Sequence, residues 1–326
     1  MRETTSEIDE IYDCIIIGAG PAGMTAAIFA KAKNLRVMIL EGNRAGGQLK
    51  NLYPYKPVYN YPGYSKIPAG ELADRMIEQV RAHDIPLQEN SPIKDIVKSD
   101  ENVFVISAKQ FNVRAKSIVL ASGLGLSEPR RVGVPGESEL EGNGIEYTIF
   151  NISEWAGKDV AVIGGGNSAI DNVLLLLENN SKVVLIHRSQ LRAEPDSIEK
   201  LQQKNVPIHL GWKPSEFQKT GNGKVLLEIE NSSKKLCMEK DRILINIGLK
   251  PNTEFLEKLD VDKNNKQILV DTEMHTSIPG IFGCGDAVTY PGKVRLIVTA
   301  LGEAATAVNS LQNYLKSLQI PQKEVN

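Results

Sequence analysis

Cysteine is scarce in this sequence: three residues in 326, Cys14, Cys237 and Cys284, far apart from one another. With no Cys-x-x-C pair, a zinc knuckle and a vicinal redox disulfide are both excluded. Cys14 and Cys284 sit in apolar runs and read as small buried hydrophobes. No apolar stretch approaches the length of a membrane span, and the polar opening MRETTSEIDE lacks the pattern of a signal peptide. A cytoplasmic protein with no membrane partner is expected. An excess of one charge is lacking too. The 38 Lys and Arg nearly balance 40 Asp and Glu, for a net −2, which offers no footprint for nucleic acid. What remains is an ordinary globular composition, 41% hydrophobic and 24% charged, with length enough for two domains.

What the sequence does have, it has twice. The apolar run Cys14-Ile15-Ile16-Ile17 feeds Gly18-Ala19-Gly20-Pro21-Ala22-Gly23, and Val160-Ala161-Val162-Ile163 feeds Gly164-Gly165-Gly166-Asn167-Ser168-Ala169. In both, a second strand ends 23 residues after the first glycine, at Glu41 and at His187. Each repeat is the strand–turn–helix start of a dinucleotide fold. The first glycine allows the tight turn, the second lets the backbone approach a pyrophosphate, and the third lets the helix pack on the sheet. The helix opening at Pro21 aims free N–H groups and its dipole at the phosphates.

The strand ends differ in chemistry. Glu41, closing Val37-Met38-Ile39-Leu40, can accept hydrogen bonds from both ribose hydroxyls of FAD or of NAD. At the second repeat His187 stands in that place, followed by Arg188 and Arg192. No carboxylate holds a 2′-hydroxyl there, and guanidinium groups match a 2′-phosphate, so NADP(H) is favoured with Gly164, Gly166, Asn167 and Ser168 as its loop. Further on, Thr276-Ser277-Ile278-Pro279-Gly280-Ile281-Phe282-Gly283-Cys284-Gly285-Asp286 reads as a short strand ending in Gly-Asp, where a carboxylate meets a polyol.

Together with the first repeat, that segment resembles the second FAD motif of the two-dinucleotide flavoprotein reductases. Ile118-Val119-Leu120-Ala121-Ser122-Gly123 is similar to the strand that leaves the FAD domain in that group, which brings in Ala121 and Gly123. The whole chain resembles the low-molecular-weight thioredoxin reductase superfamily. The resemblance implies an α/β fold of two Rossmann-like, three-layer ββα dinucleotide-binding domains. The NAD(P)H domain, 125–249, would be inserted into an FAD domain made of 1–124 and 250–326. The crossings Gly123-Leu124-Gly125 and Gly248-Leu249-Lys250-Pro251-Asn252 would then serve as hinges.

Thioredoxin reductases carry Gly-x-x-Tyr-Cys-x-x-Cys ahead of the second loop. Here the segment is Gly144-Ile145-Glu146-Tyr147-Thr148-Ile149-Phe150-Asn151, with Thr148 and Asn151 at the cysteine positions. Without the pair, a flavin has no disulfide to reduce. The chain looks most like the ferredoxin–NADP⁺ reductases built on that scaffold. The matches are Gly46-Gly47-Gln48-Leu49, Leu52-Tyr53-Pro54, Pro291-Gly292-Lys293-Val294-Arg295-Leu296-Ile297, Gly302-Glu303-Ala304 and Thr306-Ala307-Val308-Asn309. The resemblance implies Tyr53 stacked on the isoalloxazine, with Gln48, Ile93 and Ser127 lining FAD. Ile297 would open a helix aimed at the flavin N1–C2=O edge. It also implies a homodimer and a ferredoxin partner, for which Lys50, Lys56, Arg130 and Arg131 are candidate docking cations beside the simpler reading of scattered surface charge.

Two departures keep alternatives open. The family's His-Arg-Arg-x-x-x-Arg is here His187-Arg188-Ser189-Gln190-Leu191-Arg192, one arginine fewer and a residue shorter, so NADH use stays open. The chain ends Pro321-Gln322-Lys323-Glu324-Val325-Asn326, without the aromatic or histidine that covers the second flavin face in many of those reductases. An NAD(P)H oxidase or diaphorase is therefore the competing activity, and a non-enzymatic flavin or nucleotide sensor a third.

Overall fold

The computed structural model describes residues 6–99, 103–123, 126–252, 257–265 and 267–319. The ending 321–326 and residues 124 and 125 of the first crossing lie outside them.

The two apolar runs form the central strands of two five-stranded, all-parallel sheets. In the first, the order is Ile281–Gly283, Ile118–Leu120, Cys14–Ile17, Val37–Leu40, Leu87–Gln88. In the second it is Ile145–Glu146, Arg242–Ile245, Asp159–Ile163, Lys182–His187, Ile208–Leu210. The four strands from Cys14, Val37, Leu87 and Ile118 match those from Asp159, Lys182, Ile208 and Arg242 in place and order.

Both repeats also insert an antiparallel layer at the same point, between their third and fourth strands in sequence. In the first unit Ile93–Lys98, Phe104–Ala108 and Phe111–Ala115 form it, with Ser6–Tyr12 added in parallel at the edge. In the second, Lys213–Lys219, Val225–Glu230 and Lys235–Lys240 do so. A helix layer covers the other face. Helices thus lie on one side of each parallel sheet and strands on the other, which is why the central strands are apolar throughout.

The alternation of a strand's side chains sorts the second core into two. Val160 and Val162 pack with Ile170, Val173 and Leu176 of the helix Asn167–Glu178. Ala161 and Ile163, one residue out of phase, pack with Phe217, Val225, Leu227 and Ile229 of the antiparallel layer. In the first unit the helices Pro21–Ala32 and Ile297–Gln319 join one continuous core. Helix Ala69–Ala82 turns Leu72, Ala73, Met76, Ile77 and Val80 inward at the expected helical spacing.

The chain divides into two compact units, 1–52 with 57–126 and 251–326, and 53–56 with 127–250. The short segment Tyr53–Lys56 groups with the second.

Candidate dinucleotide sites

In the first unit, the turn after Cys14–Ile17 is closed by contacts that admit no side chain. A Cβ on Gly18 would stand 2.4 Å from the Ala121 carbonyl oxygen, and one on Gly23 1.9 Å from the Gly18 carbonyl oxygen. The helix Pro21–Ala32 starts with Gly20 as its cap and Pro21 in its first turn, so the N–H groups of Ala22 and Gly23 have no acceptor within the helix. Opposite Gly20 lies Gly47, at φ +56°, where a Cβ would come 2.8 Å from the Gly20 Cα. Two glycine backbones therefore face each other at the mouth of the turn, as a pyrophosphate needs.

Glu41 reaches back into this turn. Its carboxylate accepts from the Ala19 N–H at 2.7 Å and the Asn43 N–H at 2.9 Å. Burial raises its pKa above the ordinary carboxylate value, although those N–H groups pull the other way. Each oxygen retains a lone pair for a ribose hydroxyl. Glu89, which the sequence did not single out, accepts from the Ala45 N–H at 2.6 Å and fixes the next loop.

Asp286 closes the same strip. Gln48 Nε2 donates to its Oδ2 at 3.2 Å, and a Cβ on Gly123 would lie 3.9 Å from that same nitrogen. A Cβ on Gly285 would sit 2.9 Å from the Ala22 Cβ, so the Gly-Asp turn rests against the glycine helix. Leu49 is buried, and Ile297, first residue of its helix, packs half-buried with it. Ile93 is half-buried against the first unit's core. Tyr53 is half-buried and accepts from the Lys56 N–H at 3.0 Å. Ser127 lies in the strand Leu126–Pro129, its side chain outside the described residues.

In the second unit a Cβ on Gly164 would meet the Asn246 carbonyl oxygen at 2.3 Å. Gly166 caps the helix that presents Asn167 and Ser168 in its exposed first turn. The His187 ring packs on Gly165, where a Cβ would fall 2.3 Å from Cδ2. Burial, and then the charges of Arg188 and Arg192, lower the His187 pKa, so the ring is neutral near pH 7. The Arg192 N–H donates to the Gly165 carbonyl at 2.7 Å, and the Glu194 N–H to Asn167 Oδ1 at 2.8 Å. Those two bonds fold the segment after His187 back over the glycine loop. Arg188 and Arg192 are exposed there, and neither is in an ion pair among the described residues.

The candidate docking cations Lys50, Lys56 and Arg131 are already in ion pairs. Lys50 meets Asp74, Lys56 meets Asp171 at 3.4 Å, and Arg131 meets Glu141 at 2.6 Å. Thr148 is buried, and Asn151 caps the turn Ile152–Trp155 through its side chain. The positions of a redox pair are thus filled by packing and capping residues. Sequence reasoning quoted Lys293 and Glu303 only within family matches, gave them no role and did not name Tyr290; the three form one cluster beside Gly285. The signals were those matches and one acid in the apolar face of the last helix.

Comparison with known proteins agrees with this geometry. Curated relatives include a ferredoxin–NADP reductase 2 of Listeria monocytogenes, 36% identical over 315 residues and 95% of each chain. A ferredoxin–NADP reductase of Streptococcus pneumoniae is 35% identical over 314 residues, 94% of this chain and 96% of the relative. Among solved structures, the thioredoxin reductase of Lactococcus lactis superposes with a TM-score of 0.74 at 28% identity, covering 94% of this chain and 99% of that one. The thioredoxin reductase of T. acidophilum gives 0.75, also at 28%, over 95% and 100%. The pyridine nucleotide-disulphide oxidoreductase pattern spans residues 12–304, nearly the whole chain, and the protein belongs to that family.

Proposed function

We propose that this protein is an FAD-dependent reductase that moves electrons between NADP(H) and ferredoxin. One observation carries the reading: two like glycine loops end in opposite chemistry, a carboxylate at Glu41 and exposed guanidiniums around His187, with no cysteine pair between them. The relatives named ferredoxin–NADP reductase, at about one-third identity over nearly full length, support it.

In this reading the first unit holds FAD. Gly20, Ala22, Gly23 and Gly47 receive the pyrophosphate on backbone N–H groups. Gly18 makes the turn, its own N–H spent on the Leu40 carbonyl, and Pro21 opens the helix. Glu41 takes the ribose hydroxyls, and Gln48 with Asp286 takes the ribitol side. Ala121, Gly123 and Leu49 wall the cofactor, and Ile93 and Ile297 line it. The second unit holds NADP(H), with Gly164, Gly166, Asn167 and Ser168 on the pyrophosphate. His187, Arg188 and Arg192 surround the 2′-phosphate. FAD held in the first unit would supply the chemistry, accepting two electrons as hydride and passing them on singly. The chain's residues position, shield and balance charge, and no side chain need move a proton to carbon. The domain assignment proposed is 125–249 for NADP(H) and the rest for FAD, with the short segment 53–56 grouping with the second unit. A homodimer is proposed from the family resemblance, and a cytoplasmic location from the sequence reading above. Among the described residues no helix is long and apolar enough to cross a membrane.

The test is anaerobic. The purified protein is titrated with NADPH or NADH, ferredoxin is then added, and both chromophores are followed. Flavin bleaching with NADPH preferred, then rapid ferredoxin reduction, is the expected result. Bleaching that reverses only when air is admitted would replace the ferredoxin reading with the oxidase.

A further inference from the structure

The least exposed ion pair of the described chain, Lys293–Glu303, has side chains only 7% and 4% exposed. Burying two charges is costly, and an apolar pair of like volume is often at least as stable. Its bonds point at one backbone unit. Glu303 Oε2 accepts the Gly285 N–H at 2.8 Å, while Lys293 Nζ donates to the Gly285 carbonyl oxygen at 3.0 Å. Glu303 Oε1 accepts from Lys293 and, at 2.7 Å, from Tyr290 Oη. Gly285 is thus gripped by both of its peptide groups, in the left-handed conformation at φ +74° and against Ala22 of the glycine helix. The next residue is Asp286, whose carboxylate Gln48 meets.

We propose that Lys293 and Glu303 are positioning residues for the flavin cofactor: they clamp Gly285 so that Asp286 is held facing the glycine loop before FAD arrives. This rests on the reading of the first unit as the FAD domain and adds a reason for a buried charge pair there. Two formal charges cancel inside the clamp, so the flavin pocket gains a fixed backbone without gaining a net charge. Tyr290 completes the set of acceptor contacts on Glu303. It also lies under the Lys293 ammonium, 5.4 Å from ring centre to Nζ, which holds the lysine to one side of the carboxylate.

The experiment uses the full-length chain, stripped of flavin and titrated with FAD. Lys293→Met/Glu303→Leu replaces the pair by apolar side chains of similar length, which retains packing while releasing Gly285. Expected is a folded apoprotein whose melting temperature falls modestly, because the Gly285 peptide groups and the Tyr290 hydroxyl lose their partners. FAD affinity should be lower by about ten- to hundredfold, the range for losing charge-assisted hydrogen bonds. The visible flavin bands should shift as well. Glu303→Gln, which keeps the volume, guards against misfolding of the double variant. It should weaken FAD binding about tenfold or more, because its one amide oxygen can serve Lys293 and Tyr290 or the Gly285 N–H but not both sides, and its NH2 end accepts from neither. Parental FAD affinity and an unshifted spectrum in both variants would overturn the clamp and leave the FAD reading intact. A parent protein that binds no FAD would overturn both.

Discussion

The two glycine loops share a sheet order, a spacing and a helix start, yet they are tight in different places. With the residue after the first glycine as the second position and the sixth residue of the loop as the third, the first loop is tight at the third: a methyl on Gly23 would overlap the Gly18 carbonyl, while Ala19 stands at the second. In the second loop, Ala169 fills the third position and Gly165 stands at the second, under the His187 ring. The strand-end residue explains the second position. Glu41 extends to the Ala19 N–H and leaves room for a methyl. The shorter, broader imidazole of His187 stacks flat on the loop and takes that room. One scaffold thus carries two nucleotide preferences through paired changes at the loop and the strand end.

The largest effect should come from forcing the second loop's third residue on the first. Gly23→Ala places a methyl 1.9 Å from a backbone oxygen that cannot move without opening the turn. A destabilisation of about 3 kcal/mol or more is expected, with loss of bound FAD. Thermal melting with and without added flavin measures it, and parental values would show that the two loops are not distinct at this position.

Gly165→Ala, the first loop's residue placed in the second, meets a side chain rather than backbone. His187 can rotate away, so melting should change by only about 1 kcal/mol. The ring would then leave the loop beside Arg188 and Arg192. The apparent KM for NADPH should rise roughly tenfold, with FAD content unaltered. An unchanged KM would mean the His187 stacking has no part in nucleotide binding.

The carboxylate gives a difference in pH response. Burial holds the Glu41 pKa above its ordinary value, so on acidification this group takes up its proton sooner than an exposed glutamate. The protonated form loses charge-assisted bonds from ribose hydroxyls, so FAD affinity should begin to fall as pH drops through that raised pKa. The empty protein responds in the opposite sense. With the folded pKa above the unfolded one, Glu41's contribution to stability is present at low pH and lost as pH rises. Glu41→Gln should abolish this share of both trends. The second loop ends in a histidine whose pKa is lowered, so it should show no matching change near neutrality. Fluorescence titrations of FAD across acid pH provide the check.

Much of the comparison was visible in the sequence because glycines at fixed spacing and unbroken apolar strands record backbone constraints directly. The central strands from Cys14 and Asp159 and the strand-end contrast of Glu41 with His187 both follow from that. The second unit's antiparallel layer was only half legible. Val225–Glu230 alternates buried and half-buried residues, but its neighbour Lys235–Lys240 has no buried residue, so nothing in its composition marks a strand. Lys213–Lys219 starts with Lys-Pro and carries two further charges. The Glu303 cluster was hidden for another reason. Its partners lie 10, 13 and 18 positions away along the chain, and their meeting depends on how the last helix docks.

The smallest effect should come from Ala169→Gly, which gives the second loop the first loop's third residue. Nothing there demands a glycine, since Ala169 already sits in place with its side chain fully buried. The change removes one buried methyl and adds backbone freedom to the first turn of the helix, together worth about 1–2 kcal/mol. NADPH binding should be preserved, because the N–H groups of Asn167 and Ser168 still face the loop. Stability would fall slightly while nucleotide affinity holds. That is the inverse of Gly165→Ala, where affinity falls and stability nearly holds. If Ala169→Gly instead weakened NADPH binding as much as Gly165→Ala, the third position would also help shape the second site, and the division of roles between the two positions would fail.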